Sequence, residues 1–160
     1  METPESRQVA REEAWQITCH EAGHAVAGVR LQIPFCHVER GDNEYGEVEV
    51  GVNPIEEPSG DWTQDEISRW QQFYAAGAAT EQLLFGSYRE YASRGDRCLH
   101  DVLEKRRRAN RSDGWDQDIQ SVMNVLDRGS IEKVARELDQ HKKLSSEQVY
   151  ELLGCDPPWH

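Results

Sequence analysis

The sequence predicts an α+β fold, mainly α-helical with one small β-sheet, in a single domain that spans 1–160. Its 160 residues match one ordinary domain in length. Small and apolar residues recur every three or four positions along most of the chain, which is typical of helices with one buried face. One short stretch, Glu47 to Val52, alternates between polar and apolar residues instead, as a half-exposed strand does.

The N-terminal part of the chain is predicted to contain one helix followed by the sheet. Residues 1–10 are polar and predict a flexible arm. The helix runs from about Arg11 to Leu31 and ends before Pro34. From Cys36 to Val52 the pattern becomes that of strands, with a turn at 41–43.

Capping signals define the helices that follow. After a loop at 53–61, Thr63 and Glu66 have the spacing of a capping box for a helix that ends at Gly86. Residues 87–95 show no period and predict a loop, and a helix from about Asp96 to Arg108 comes next. The polar segment 109–114 interrupts the pattern, and three more helices are predicted at 115–127, 131–142 and 146–153, the last with a capping pair at Ser145 and Gln148.

Acidic residues dominate the charge of the chain, with 30 Asp and Glu against 18 Lys and Arg, for a net charge of −12. A field of this sign repels phosphate backbones and anionic lipid surfaces, so we expect neither nucleic acid nor a membrane as a partner. The basic run from Lys105 to Arg108 is an exception, and we interpret it as the solvated face of a helix.

The cysteines and the N-terminus predict a cytoplasmic protein with reduced thiols. No signal peptide precedes residue 20, and no apolar run reaches the about 18 residues of a membrane-spanning helix. The cysteines are too widely spaced to indicate a disulfide framework. They are Cys19, Cys36, Cys98 and Cys155.

The residues with the clearest chemistry are His20-Glu21-Ala22-Gly23-His24, inside the first predicted helix. Because four residues are about one helical turn, His20 and His24 lie on the same face and can bind one ion. Zinc suits two imidazoles, a carboxylate and a water, whose pKa it lowers. Glu21 lies on the adjoining strip, where it can accept a proton from that water during attack on a peptide carbonyl. The competing interpretation is two solvent-facing histidines on an amphipathic helix.

Spacing alone does not identify a third protein ligand. No histidine follows His24 at the spacing His-x-x-Gly-x-x-His. The residues with suitable chemistry are Glu81, Asp96, His100, Asp101 and the cysteines.

Several segments resemble the peptidase domain of FtsH-type zinc proteases. Thr18–Gly28 contains that family's His-Glu-Ala-Gly-His-Ala motif, and Ala75–Gly86 is similar to its Gly-Gly-x-x-Ala-Glu-Glu-apolar-apolar-Phe-Gly helix. Ala92–Asp96 is similar to the family's Ala-Ser-Asn-Asp, and 125–153 resembles its last two helices. The resemblance implies an FtsH-peptidase-like helical domain with a zincin-type active-site helix. On this basis 11–108 forms the zinc-site half and 115–154 the C-terminal helices.

The resemblance also implies a role for each matching residue. Glu21 becomes the catalytic carboxylate, and Glu81 supports the ligands without binding the metal itself. One extra residue before Asp96, relative to the family's segment, leaves Asp101 as an alternative ligand. The implied cofactor is Zn²⁺, and its implied ligands are His20, His24 and Asp96.

A substrate-binding strand is implied at Glu47-Val48-Glu49-Val50. In the family this strand presents an edge with which an extended substrate pairs, and such pairing depends on backbone groups more than on side chains. The acidic residues Glu47 and Glu49 differ from the more apolar family strand. They either favour basic peptides or protect an exposed edge from aggregation.

We therefore expect an ATP-independent, zinc-dependent endopeptidase that acts on unfolded polypeptides or peptides. FtsH-type proteases also carry an ATPase module, and this sequence contains no Gly-x-x-x-x-Gly-Lys-Ser/Thr loop. A homo-oligomer or a separately encoded partner is left open. The alternative is a non-catalytic, zinc-binding regulatory or adaptor module, in which Cys19 and Cys98 could complete a structural site.

Overall fold

The computed structural model describes residues 2–41 and 46–159, which form six helices and three strands. The mainly helical α+β fold is confirmed. No helix within those two ranges is both long and apolar enough to span a membrane. In chain order the elements are α1 (Pro4–Arg30), β1 (Phe35–Arg40), β2 (Gly46–Val50), α2 (Gln64–Phe85), α3 (Glu90–Glu104), α4 (Gly114–Met123), α5 (Arg128–His141), β3 (Lys143–Ser145) and α6 (Ser146–Leu153).

Helix α1 begins at Pro4, earlier than the predicted start at Arg11. The N–H of Ser6 donates to Thr3 Oγ1 at 3.0 Å, and the N–H of Thr3 donates to Ser6 Oγ at 2.9 Å. Proline suits the first helical position because it has no N–H to leave unpaired. Residues 4–10, predicted as an arm, therefore continue the helix with exposed side chains.

The alternating segment forms two antiparallel strands, and β3 completes a sheet in the order β2-β1-β3. Residues 42 and 43 of the predicted turn lie outside the described residues. Val38 on β1 pairs with Val48 and with Leu144, and it is fully buried, so this face of the sheet packs on the core. Strand β3 is too short for its sequence to show a pattern. Among the described strands β2 lies at an edge, and its first residue, Gly46, lies against the side chain of Glu21.

Helix α2 agrees with its prediction at both ends. The N–H of Glu66 donates to Thr63 Oγ1 at 3.1 Å, and the N–H of Thr63 donates to Glu66 Oε1 at 3.2 Å. This reciprocal capping box satisfies two N–H groups at the start of the helix. The helix ends at Gly86, whose φ of 85° lies in the left-handed region that favours glycine.

The predicted loop at 87–95 is wrong from Glu90 onward, because α3 begins there and continues through Asp96. The sequence hides this start, since Arg89 makes no side-chain cap and Gly95 has low helix propensity. Tertiary packing stabilises the helix instead. Its buried residues are Ser93, His100 and Leu103.

The basic run after α3 is not the helix face that the sequence predicts, because α3 ends at Glu104. Arg106 Nη1 donates to the backbone oxygen of Pro54, and Arg107 Nη1 donates to Gln71 Oε1 at 2.9 Å. These bonds hold the run against the loop before α2 and against α2 itself.

The C-terminal helices lie close to their predicted positions. Helix α4 is shorter than predicted because Asp127 caps the next helix, with the N–H of Ser130 donating to Asp127 Oδ2 at 2.8 Å. Helix α6 has the predicted cap, in which the N–H of Gln148 donates to Ser145 Oγ at 3.2 Å. It ends at Gly154, whose φ is 66°.

Helices α1 and α2 pack through small residues, and this contact positions the segment from His20 to His24. A Cβ built on Gly23 would overlap the side chain of Thr80, so only glycine allows the two backbones to lie this close. Fully buried alanines on both helices belong to the same core cluster, namely Ala22, Ala25, Ala75, Ala76, Ala78 and Ala79.

Candidate metal and catalytic site

Three side chains that can bind a metal converge where α1 meets α3. His20 Nε2 lies 3.1 Å and His24 Nε2 lies 2.9 Å from the same oxygen, Oδ2 of Asp96, and the two nitrogens are 3.3 Å apart. A tetrahedral zinc ion, about 2.0–2.1 Å from each ligand, separates its ligand atoms by roughly 3.3 Å. The three atoms therefore have the spacing that one such ion requires.

The other nitrogen of each imidazole is hydrogen-bonded to the protein. His20 Nδ1 lies 2.7 Å from Glu81 Oε2, and Arg89 Nε donates to Glu81 Oε1 at 2.6 Å. His24 Nδ1 donates to the backbone oxygen of Phe73 at 2.9 Å. When each Nδ1 carries a proton, each Nε2 has a lone pair, and these two lone pairs face one another and the Asp96 carboxylate. Such an acceptor set requires a cation or shared protons, so the residues fit a metal ion.

The protonation of this cluster follows from its burial and its hydrogen bonds. Burial lowers the pKa of His20, but hydrogen bonds to Asp96 and Glu81 outweigh this effect and raise that pKa to about 10. Burial also lowers the pKa of His24, and the charge of Asp96 reverses the shift, so that this pKa is raised. Burial favours the neutral form of Asp96, yet the charge of His24 and bonds from both imidazoles hold its pKa well below the usual range. The two imidazoles therefore hold protons strongly while the Asp96 carboxylate stays ionised, and a bound metal would displace the imidazole protons.

Glu21 lies beside the ligand cluster and is 8% exposed. Burial raises the pKa of its carboxyl, and the positive charges of His20 and His24 oppose that rise. Gly46 on β2 lies so close that a Cβ there would overlap the Glu21 side chain. The Glu21 carboxylate is not part of the three-ligand group, so it remains able to accept a proton.

Gly77 on α2 fixes how close His20 can lie to the neighbouring helix. A Cβ built on Gly77 would overlap Nε2 and Cε1 of His20 and would lie 2.7 Å from its Cδ2. The imidazole therefore contacts the backbone of α2 directly, and only glycine allows this contact.

Cavities open on both sides of the ligand cluster. The first, of about 290 Å³, is lined by Glu21, His24 and Asp96 together with residues of β2 and α2. The second, of about 600 Å³, is lined by His20 and Glu21 together with residues of α3. Gly46, the first residue of β2, borders both cavities. The β2 edge therefore lies beside the ligand cluster and both cavities.

No protein-family model matches the sequence, and no curated protein matches it. The function is therefore argued from the geometry and chemistry of the site.

The structure separates the residues of the predicted substrate strand. Glu47, Val48 and Val50 line the first cavity. Glu49 does not line it, because its Oε2 lies 3.0 Å from His37 Nδ1 on β1. The strand therefore has three residues in the cavity and one that contacts a histidine on the neighbouring strand.

Asp101 and His100 lie outside the cluster. The side chain of Asp101 is 62% exposed, and its Oδ1 lies 3.8 Å from His100 Nδ1. His100 Nε2 lies 2.6 Å from Asp118 Oδ2 in a second buried group. Arg111 Nη2 donates to Asp118 Oδ2 at 2.7 Å and to Glu104 Oε1 at 2.8 Å. The Arg111 guanidinium already neutralises these carboxylates. This second group is therefore an ion-pair network and a poor candidate for a metal site.

Neither cysteine near the motif joins the ligand cluster. Cys19 is buried in the core, where burial raises the pKa of its thiol to about 12, and its sulfur is not part of the group formed by His20, His24 and Asp96. Cys98 is exposed on α3.

Sequence reasoning missed most of the groups that orient the ligands. The bonding oxygen of Phe73 belongs to the backbone, which carries no sequence signal. Arg89 lies just before a helix start that the sequence hides. Gly77 belongs to the segment that resembles the FtsH-type helix, but only the structure brings it against His20.

Proposed function

We propose that this protein is a zinc-dependent endopeptidase that cleaves unfolded polypeptides or peptides without ATP. The observation that carries the proposal is the convergence of His20 Nε2, His24 Nε2 and Asp96 Oδ2 to within 3.3 Å of one another. A buried carboxylate, Glu21, lies beside this group. The resemblance to FtsH-type peptidases assigns the ligand and catalytic roles to the same four residues.

The donor set favours zinc over the other common ions. Two imidazole nitrogens and one carboxylate oxygen suit zinc, whereas calcium and magnesium prefer oxygen ligands. Three protein ligands leave one tetrahedral position open, which is the pattern of catalytic zinc sites. Bound zinc would supply Lewis acidity that polarises a peptide carbonyl and lowers the pKa of a water molecule.

Glu21 acts as the general base in this proposal. Its carboxylate accepts a proton from the attacking water and later delivers that proton to the leaving amine. Burial supports this role because a raised pKa brings the carboxyl closer to neutral pH, where it can both take up and release a proton. Glu81 and the Phe73 carbonyl hold the two imidazoles in place through their Nδ1 atoms.

The β2 edge supports an extended substrate. An unfolded segment that pairs with this edge would satisfy its own backbone groups and pass beside Glu21. Gly46 borders the cavities on both sides of the ligand cluster, so the segment would continue past the scissile bond in each direction. This arrangement favours cleavage within a chain.

A non-catalytic zinc module receives no support from the ligand set. Structural zinc sites are closed by four protein ligands, commonly thiolates. The group around His20 contains three ligands within the described chain, and neither Cys19 nor Cys98 is among them.

The deciding experiment replaces Glu21 with glutamine, which keeps the shape of the side chain but removes its basicity. We expect hydrolysis of unfolded casein to fall by about 10²–10⁴-fold. Zinc content, measured by elemental analysis, should stay unchanged. The matched control is Glu12→Gln, an exposed carboxylate on the same helix, which should retain activity. Chelator should abolish cleavage by the unsubstituted protein.

Two results would overturn the proposal. Full activity in a zinc-loaded Glu21→Gln variant would show that another group moves the proton. A folded, zinc-loaded chain that cleaves no unfolded substrate would show that the site is not a peptidase site.

A further inference from the structure

We propose that the cavity of about 290 Å³ beside Glu21 binds a lysine or arginine side chain of the substrate. This inference rests on the proposed peptidase function and adds the substrate class, which is unfolded segments rich in basic residues. The cavity is called the basic-residue pocket below.

The walls of the pocket are apolar. They consist of Val48 and Val50 from β2, Phe73 from α2, Leu99 from α3, and Ile55 from the loop before α2. Lysine and arginine have stems of three or four methylene groups, which pack on apolar surfaces while the charged head contacts polar groups. The walls therefore suit the stem of a long basic side chain.

Tyr74 provides a polar group that the fold does not use. The residue is 5% exposed and lines the pocket, but its hydroxyl has no hydrogen-bond partner among residues 2–41 and 46–159. Burial and the charges of Asp96 and Glu56 raise its pKa above the usual range, so the phenol stays neutral. Because Tyr74 lines the pocket and its hydroxyl oxygen is free to accept, an ammonium or guanidinium group bound there would donate to it.

Glu56 provides the opposite charge. It lines the same pocket and forms no ion pair within the described chain. Its position is fixed by Asn53, which is 2% exposed and whose Oδ1 accepts from the N–H groups of Ile55 and Glu56 at 3.1 and 3.0 Å. The carboxylate is therefore carried by an ordered turn.

The charge around the pocket favours a cation. No lysine or arginine of the described residues lines it, whereas Glu47 and Glu56 do. The charge of a zinc ion in the proposed site would offset Glu21 and Asp96, so Glu47 and Glu56 carry the uncompensated negative charge. Protection of a strand edge would account for Glu47 but not for Glu56, which lies outside β2. Uncompensated carboxylates on both the strand and the loop attract basic side chains and repel acidic ones.

The test uses two series of quenched fluorogenic peptides. In one series the residue just before the cleaved bond is varied, and in the other the residue just after it is varied. The varied position carries lysine, norleucine or glutamate, so that lysine and norleucine share a stem and differ in charge. We expect kcat/KM for lysine to exceed that for norleucine by about fivefold to tenfold, and glutamate to be poorest. Glu56→Gln should bring the lysine-to-norleucine ratio close to one, and Tyr74→Phe should lower it. Glu57→Gln, an exposed neighbour outside the pocket, should leave the ratio unchanged.

Binding gives a second readout that does not need catalysis. Fluorescence anisotropy should show that the Glu21→Gln variant binds the lysine peptide most tightly and the glutamate peptide most weakly. Adding Glu56→Gln to that variant should remove the difference in affinity between the lysine and norleucine peptides. Zinc-dependent cleavage without preference for lysine, or with a preference that survives Glu56→Gln, would overturn the pocket and leave the peptidase intact. Absence of zinc-dependent cleavage of all peptides would overturn the peptidase and this inference together.

Discussion

Replacing Gly77 with alanine should displace His20, a proposed metal ligand, without unfolding the chain. In the structure a Cβ at this position would overlap Nε2 and Cε1 of His20 and would lie 2.7 Å from Cδ2. Carbon atoms in contact are normally about 3.5–4.0 Å apart, so the imidazole or the α2 backbone must move by roughly 1 Å. Metal sites tolerate departures of only about 0.2 Å in ligand distance. We therefore expect zinc affinity to fall by about a hundredfold, the upper end of losses caused by misplaced supporting groups.

Gly95 offers a matched control because it is also a helical glycine near the site. A Cβ built there meets nothing within 4 Å, and the residue directly precedes Asp96, the proposed third ligand. Alanine at this position should keep zinc affinity and stabilise α3 by about 0.5–1 kcal/mol. The two substitutions have the same chemistry and the same helix propensity gain, so they differ only in the contact with His20.

The assay is zinc titration against a chromophoric chelator, with circular dichroism to verify folding. A folded Gly77→Ala protein that binds zinc as tightly as the unsubstituted chain would refute the placement of His20 as a ligand. Equal losses in both variants would show that a general effect on the helices, and not this contact, controls affinity.

Three further outcomes are expected. Asp96→Ala should lower zinc affinity by at least about tenfold to a hundredfold, and Asp101→Ala should leave zinc affinity unchanged. Both are measured by competition with a chelator, and the reverse result would make Asp101 the third ligand in place of Asp96. Glu81→Gln keeps an acceptor near the imidazole but removes its charge, so zinc affinity should fall by about tenfold in the same titration. Burial raises the pKa of Glu104, but hydrogen bonds from Arg111 outweigh this and lower it from 4.5 to about 2. Because the folded pKa is the lower one, the stabilisation is complete above pH 4.5 and is lost as pH falls toward 2, with a loss of ~2 kcal/mol by pH 3. Urea unfolding at pH 7 and pH 3 measures this loss in the free energy of unfolding. An equally large loss in the Glu104→Gln variant would exclude this carboxylate as the cause.

The sequence predicts the elements whose ends carry local signals. Thr63 with Glu66, and Ser145 with Gln148, form their capping boxes in the structure, because these hydrogen bonds join residues three apart. Helix α3 lacks such a cap, so its start is set by packing against distant elements and cannot be found by local rules.

The same distinction applies to the candidate site. His20, Glu21 and His24 are four residues or fewer apart on one helix, so their common face follows from helical geometry alone. The choice between Asp96 and Asp101 needs the start of α3. Once the helix is known to include both, Asp96 falls on the side of the buried residues Ser93, His100 and Leu103, and Asp101 falls on the exposed side.

The rotation of α3 that brings Asp96 to the histidines is stabilised by the second buried group. His100 lies four residues after Asp96, on the same face of the helix, and its Nε2 is 2.6 Å from Asp118 Oδ2 on α4. Arg111 joins Asp118 to Glu104, which is also on α3, so two positions of that helix are fixed to the same neighbour. Rotation of α3 by one residue would leave buried charges unpaired, which costs several kcal/mol (about 3–5 for a broken buried pair). An ion-pair network that includes neither His20, His24 nor Asp96 therefore holds Asp96, the proposed third ligand, in position.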